Sequence, residues 1–187
     1  LADQPYEIGD MIELTDTGQR GFVEDMTLRY TKIFTLENTF LVIPNSTIRE
    51  RDVINYSAED ERTRLTMTAG VTYEGDLDEA RQIMEEAAAA VPQVISGGPD
   101  IRIGSARYPA APTCQIEAFG DHGITLTLRY WALQPYRLAA VSSAVHEAVW
   151  DRLEAAPEVH IAYPHQHHVF DETSGSARVQ VTEDERP

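Results

Sequence analysis

Two apolar runs separated by a three-residue break, the second ending on a proline, restrict this chain more than any other stretch of it. Thr31 to Leu36 is rich in β-branched and aromatic residues, and Phe40 to Ile43 is continuously apolar. Between them Glu37-Asn38-Thr39 supplies a turn in which Asn38 tolerates a left-handed backbone. The pattern predicts a β-hairpin with a buried second strand. Pro44 has no N–H to give a ladder, so the strand stops there. Asn45 and Ser46 are suited to bond the backbone that follows and open a short turn through Ile48. On these residues alone Pro44-Asn45-Ser46 is a strand-ending corner in which Asn45 satisfies local backbone groups, and Asn45→Asp should then cost less than Asn45→Ala.

Further short strands are expected at Met11 to Thr15, Gln19 to Asp25 and Asp52 to Tyr56, separated by Thr17-Gly18 and Met26-Thr27. Strands this short, at this spacing, suggest a small barrel. After the charged junction Glu59-Asp60-Glu61-Arg62 the period becomes two: Leu65, Met67, Ala69, Val71 and Tyr73 face one way, and Arg64, Thr66, Thr68 and Thr72 the other. Asp76, with Glu79 three residues on, forms a capping-box pattern before a helix whose apolar face runs from Leu77 to Val91 and ends at Pro92. Cys114 to Phe119 and Ile124 to Leu133 flank the turn Gly120-Asp121-His122-Gly123. A second helix is expected from about Arg137 to Ala155, then a strand from Val159 to Tyr163. The order βαββαβ implies a ferredoxin-like sheet with both helices on one face. Within Gly97 to Pro112, Ile101 to Ile103 supplies an extra short strand.

Composition narrows the function. Fifteen basic residues stand against 31 acidic ones, for a net charge of −16, and Lys32 is the single lysine. Such a surface disfavours nucleic acid and anionic lipid, which both need clustered Lys and Arg, and it suits a cytoplasm that accumulates salt, as in a halophile. The charge is uneven: residues 65–187 hold eight bases against eighteen acids, whereas residues 20–64 are nearly balanced. A lone Cys114 rules out an internal disulfide, and a reducing cytoplasm is the simplest home. No apolar run is long enough to span a bilayer, no signal peptide is apparent, and the start at Leu1 fits a piece of a longer protein. His160, His165, His167 and His168 are the one cluster with metal-site character, but no Cys joins them and Pro164 keeps that segment extended, so His167 and His168 would point apart. Hydrolase, phosphate-loop and zinc-protease motifs are absent. No catalytic residue, metal site or cofactor is assigned.

The ordered set Tyr6, Gly9-Asp10, Gly21 with Val23-Glu24-Asp25, Leu28-Arg29-Tyr30-Thr31, Val42-Ile43-Pro44-Asn45-Ser46 and Asn55-Tyr56-Ser57 resembles the cytoplasmic part of small-conductance mechanosensitive channels, the MscS family. Val71-Thr72-Tyr73 with Asp76 and Ala80, Tyr130-Trp131, and Ile161 with Tyr163-Pro164 and Gln166 match later landmarks in the same order. The resemblance implies a mixed β and α+β chain: an Sm-like, SH3-like β-barrel over residues 1–58, a ferredoxin-like domain over 59–164, and a C-terminal barrel strand with an acidic tail over 165–187. It implies a homo-oligomer, a ring of seven, that passes ions and small osmolytes on hypo-osmotic shock. The ring would lie on the cytoplasmic side of the cell membrane, joined to it through membrane helices that this chain lacks, with no nucleic-acid partner. Pro44, Asn45, Ser46, Asn55 and Tyr56 would then lie near subunit contacts. His167, His168, Val169 and Phe170 would form one strand of a narrow barrel closing the far end, where a ring of histidines is a better picture than a metal site. The competing reading is a soluble Sm-like scaffold or RNA-binding module, against which the net charge argues.

Overall fold

The computed structural model describes residues 4–162. Five strands build the first sheet: β1 (Met11–Leu14), β2 (Gln19–Met26), β3 (Tyr30–Thr35), β4 (Phe40–Pro44) and β5 (Val53–Asn55), in the order β4-β3-β2-β1-β5, all antiparallel. Gly21 lets β2 approach β3, because a Cβ there would run into the Phe34 carbonyl and the Ile33 side chain. A register shift between Val23 and Asp25 bends the sheet just beyond it. Tyr6, Ile12, Leu14, Val23, Ile33, Ile43 and Ile48 fill the concave side. β4 and β5 share no ladder, so the sheet is open, with two free edges, and a closed barrel is not what these residues form.

The expected hairpin is present, and Asn38 adopts φ 62° in its turn. Its second strand is not buried. Phe40 and Val42 are each 54% exposed, because alternate side chains of β4 lie on the outer face of the sheet, which nothing covers among the described residues. Pro44 is tolerated at its end because no outer neighbour asks for an N–H. A single helical turn, α1 (Asn45–Ile48), follows it.

The second part is a mixed α+β unit. β6 (Thr63–Val71), β9 (Thr113–Phe119) and β10 (Ile124–Ala132) form an antiparallel sheet in the order β6-β10-β9. Helices α2 (Leu77–Ala89) and α3 (Leu138–Ala155, entered through a 3-10 turn at Pro135–Arg137) cover one face. Leu126, Leu128 and Tyr130 of β10 meet Met84, Ala87, Val145 and Val149 of the helices in one core. Asp76 caps α2 by accepting from the Asp78 and Glu79 amides at 3.0 and 2.9 Å. The reciprocal half of the capping box does not form, since the Asp76 amide is taken by the Glu158 carbonyl. Tyr73 leaves the buried row: it lies beyond the end of β6, stacks on Phe119 at 6.5 Å and donates to the Gly120 carbonyl.

Two expected strands come out differently. Val159 to Ala162 makes only a single bridge, Ile161 to Val71, plus flanking bonds to Thr72 and Gly70, so the outer edge of β6 is open from Thr63 to Ala69 among the described residues. Ile101–Ile103 (β7) does form a strand, and it finds a partner the sequence did not announce in Ala106–Tyr108 (β8). This small hairpin leans on the sheet face opposite the helices. Tyr108 meets Trp131 at 6.5 Å, the Trp131 indole donates to the Pro109 carbonyl at 3.0 Å, and Arg64 lies 4.2 Å from the Tyr108 ring centre.

Candidate functional site

The landmark residues of the first sheet fall into two polar clusters. In the first, Asn45 starts α1 with its side chain turned inward and buried. Its Oδ1 accepts from the Thr31 hydroxyl at 3.0 Å, its Nδ2 donates to the Thr27 carbonyl at 2.8 Å, and its amide donates to the Arg29 carbonyl at 2.9 Å. Thr31 is fully buried. Asn45 therefore ties the corner after β4 to the turn between β2 and β3 rather than satisfying its own corner, and it caps nothing in α1. Beside it Tyr6 is buried, which raises its phenol pKa against smaller lowering effects from the Thr31 hydroxyl and the Arg49 charge. Pro44 and Ser46 flank this anchored side chain and are exposed.

The second cluster joins the chain's start to the end of β5. Asn55 Nδ2 donates to Asp10 at 2.8 Å, the Ser57 hydroxyl donates to Asp10 at 3.2 Å, and the Met11 amide donates back to Ser57 at 2.8 Å. Burial works to raise the Asp10 carboxyl, but the bonds from Glu7, Asn55 and Ser57 prevail and hold it below its ordinary range. One residue on, Tyr56 donates to Glu13 at 2.6 Å, and Arg20, facing Glu13 across the β1–β2 ladder, donates to the same oxygen at 2.6 Å. The Tyr56 hydrogen bond, with help from Arg20, lowers the Glu13 pKa against burial; burial and then Glu13 raise that of Tyr56. The Tyr56 ring packs against the core under α2 and α3, and Phe22 meets Tyr136 at 6.0 Å, so both are points where the first sheet meets the second unit.

The structure thus brings Asn55 and Tyr56 together with Asp10, Glu13 and Arg20, and sets Pro44, Asn45 and Ser46 apart from them, at the other end of the strand order. Sequence reasoning missed Glu13, Arg20, Phe22 and Tyr136. Glu13 and Arg20 carried a signal, opposite charges at facing positions of a hairpin, whereas the Phe22–Tyr136 contact spans 114 residues and carried none. His160 is exposed, and His165, His167, His168, Val169 and Phe170 lie outside the described residues. Among the described residues no group of three or more His, Cys, Asp or Glu side chains is placed to hold a metal. Cys114 is buried against Met84, and burial raises its thiol to about 11, far from a reactive thiolate. The polar atoms of these clusters bond one another and nearby backbone, tying strand ends and turns together.

Two family profiles cover most of the chain in order. "Mechanosensitive ion channel, beta-domain" matches residues 1–58, and "Mechanosensitive ion channel MscS, C-terminal" matches residues 65–157. The mechanosensitive channel MscK of Escherichia coli is 32% identical over 133 residues, which is 69% of this chain and 11% of that protein. The small-conductance mechanosensitive channel MscMJ of Methanocaldococcus jannaschii is 28% identical over 134 residues, 70% of this chain and 33% of that one. Among solved structures, Helicobacter pylori MscS in its closed state superposes with a TM-score of 0.67 at 20% identity, covering 91% of this chain and 61% of that chain. Arabidopsis thaliana MSL1 superposes with a TM-score of 0.56 at 16% identity, covering 87% and 55%. These two are likenesses of fold. Of the curated relatives it matches, this chain spans far less than the whole, 38% of the first and 33% of the second. No helix among the described residues is long and apolar enough to cross a membrane. The chain belongs to the MscS family of mechanosensitive ion channels, of which it carries the β-domain and the C-terminal domain.

Proposed function

We propose that this chain is the cytoplasmic portion of a channel that opens under membrane tension and releases ions and small osmolytes on hypo-osmotic shock. It sits below a pore made by membrane helices outside this chain, and it does not itself sense tension. The observation that carries this reading is the succession of two channel-family domains along one chain. We read residues 1–58 as an Sm-like domain whose barrel is left open between β4 and β5, 59–164 as a ferredoxin-like domain with Ile161 marking its fourth strand beside β6, and 165–187 as a closing strand with an acidic tail.

Assembly follows from the open sheet. β4 and β5 are free edges at opposite ends of one sheet, so a head-to-tail contact between copies lets each edge find a partner and closes a ring if the rotation per subunit fits. A ring of seven is the expected size. The edge strand β4 also presents an apolar outer face, with Phe34 and Phe40 at 5.0 Å and the Lys32 ammonium 3.8 Å from the Phe40 ring centre. Exposed Pro44 and Ser46, held by buried Asn45, continue that face; Asn55 and Tyr56 lie at and just past the end of the other edge strand. These five residues are assigned to the neighbourhood of the subunit contact, and His167, His168, Val169 and Phe170 to the closing strand. The direct test is reconstitution of the full-length protein in liposomes: suction on a patch should open discrete currents, and a protein that incorporates but stays silent up to membrane rupture contradicts the reading.

A further inference from the structure

The β7–β8 hairpin presents an arrangement that costs stability in an isolated subunit. Arg102 and Arg107 face each other directly across the middle of its three-pair ladder, both exposed, and neither forms an ion pair among the described residues. Arg102 turns its Nε to the Gly104 carbonyl at 2.8 Å, leaving the rest of its guanidinium outward. On the opposite face of the hairpin Ile101 is buried against Trp131, while Ile103 at the tip is 50% exposed. The tip is cationic on one face and apolar on the other.

A complementary surface exists elsewhere in the same unit. Between the open edge of β6 and helix α3 runs a groove of about 430 Å³. Its apolar wall is Met67, Ala69, Ile161 and Trp150, the last 47% exposed; its polar wall carries Glu147 and Asp151, neither in an ion pair among the described residues. Glu147 accepts from the Ser143 hydroxyl at 3.1 Å through one oxygen only. Among the described residues no strand pairs with β6 between Thr63 and Ala69 on the same edge.

We infer that the β7–β8 hairpin of one copy docks into the β6–α3 groove of the next, Arg102 and Arg107 meeting Glu147 and Asp151 while Ile103 packs toward Trp150. This rests on the ring reading above and adds to it a second, charge-encoded contact. Hairpin and groove are different surfaces, so the contact is head-to-tail and has the symmetry a ring needs. Paired charges of opposite sign then serve mainly to fix register and partner, while the apolar faces supply burial.

Charge reversal tests it on the whole chain. Arg102→Glu/Arg107→Glu and Glu147→Arg/Asp151→Arg are compared with wild type by light scattering across a dilution series, in the lowest KCl at which wild type assembles. Each reversal alone should raise the concentration needed for assembly by about tenfold or more, and the protein carrying all four substitutions should return to within roughly threefold of wild type. Assembly unchanged by either reversal, as when residues 163–170 of the same chain fill the groove, overturns the docking but leaves the ring. Failure of the fourfold variant to recover also overturns it. A wild type that stays monomeric at every salt concentration overturns ring and docking together.

Discussion

Tyr56 and Glu13 are joined by a hydrogen bond of 2.6 Å between the end of β5 and the middle of β1, and the same Glu13 oxygen takes the Arg20 guanidinium. Tyr56 is at the same time partly buried against the core of the second unit, so one side chain fastens the first sheet to it. Tyr56→Phe keeps the packing and removes the bond. The expected loss is about 1–2 kcal/mol, since the acceptor is a carboxylate and Arg20 remains. Urea unfolding of the two proteins measures it, and coincident midpoints would show that the phenol's proton contributes nothing.

Asn45 makes one donor and one acceptor bond inside the first sheet, to Thr27 and Thr31. Asn45→Ala leaves a buried hydroxyl and carbonyl short of partners and should cost about 1–3 kcal/mol. Asn45→Asp keeps the acceptor for Thr31 but sets a carboxylate oxygen against the Thr27 carbonyl, so it should cost at least as much, the reverse of the order expected from sequence. Melting temperatures that rank Asp close to wild type and well above Ala would show that the Thr27 bond is dispensable.

Acid should expose the Asp10 and Glu13 networks. Both carboxyls have folded pKa values below their ordinary range, so their contribution is fully present above the unfolded-state value and is lost as pH falls through the folded one. Neutralising the net charge of −16 acts in the other direction, by relieving repulsion. The difference between wild type and Asp10→Asn isolates the first effect. Wild type should be the more stable at pH 7, and the gap should shrink toward zero as pH drops below about 4. A gap constant from pH 7 to 3 would mean that the Asp10 charge does not matter.

How much of this was legible in the sequence depended on how local the cause was. The hairpin turn at Asn38, the strand end at Pro44, the cap at Asp76 and the face of α2 all follow from rules that act within a few residues, and all appear. Phe40 and Val42 are exposed against expectation because an apolar run says that a strand forms, not that both of its faces are covered. Asn45 was recognised as important, but its partners lie 14 and 18 residues away in the β2–β3 turn, where spacing gives no guide. β8 went unseen because Ala106-Arg107-Tyr108 has no strand pattern of its own and is held by Tyr108 against Trp131 and Arg64. Of the expected last strand, Tyr163 lies outside the described residues, and within them the run from Val159 pairs with β6 by a single bridge at Ile161.

Salt should stabilise both the fold and its assembly. With −16 per chain and several chains side by side, exposed carboxylates repel within and between subunits, and Lys32, the single lysine, is already engaged with Glu24. The screening length falls from about 10 Å at 0.1 M to about 3 Å at 1 M. Melting temperature should therefore rise steadily between 0.1 and 3 M KCl. A flat or falling curve would remove the case for a salt-adapted surface.

The central claim is that this chain belongs to a working osmotic release valve. The measurement that reaches it most directly is survival of a bacterium stripped of its own mechanosensitive channels, expressing the complete reading frame from which this chain comes, after dilution from high to low osmolarity. Cells making the intact protein should survive far better than cells with an empty vector, and cells making the chain without its membrane helices should not. Survival no better than the empty vector, with the protein shown to be in the membrane, would contradict the account.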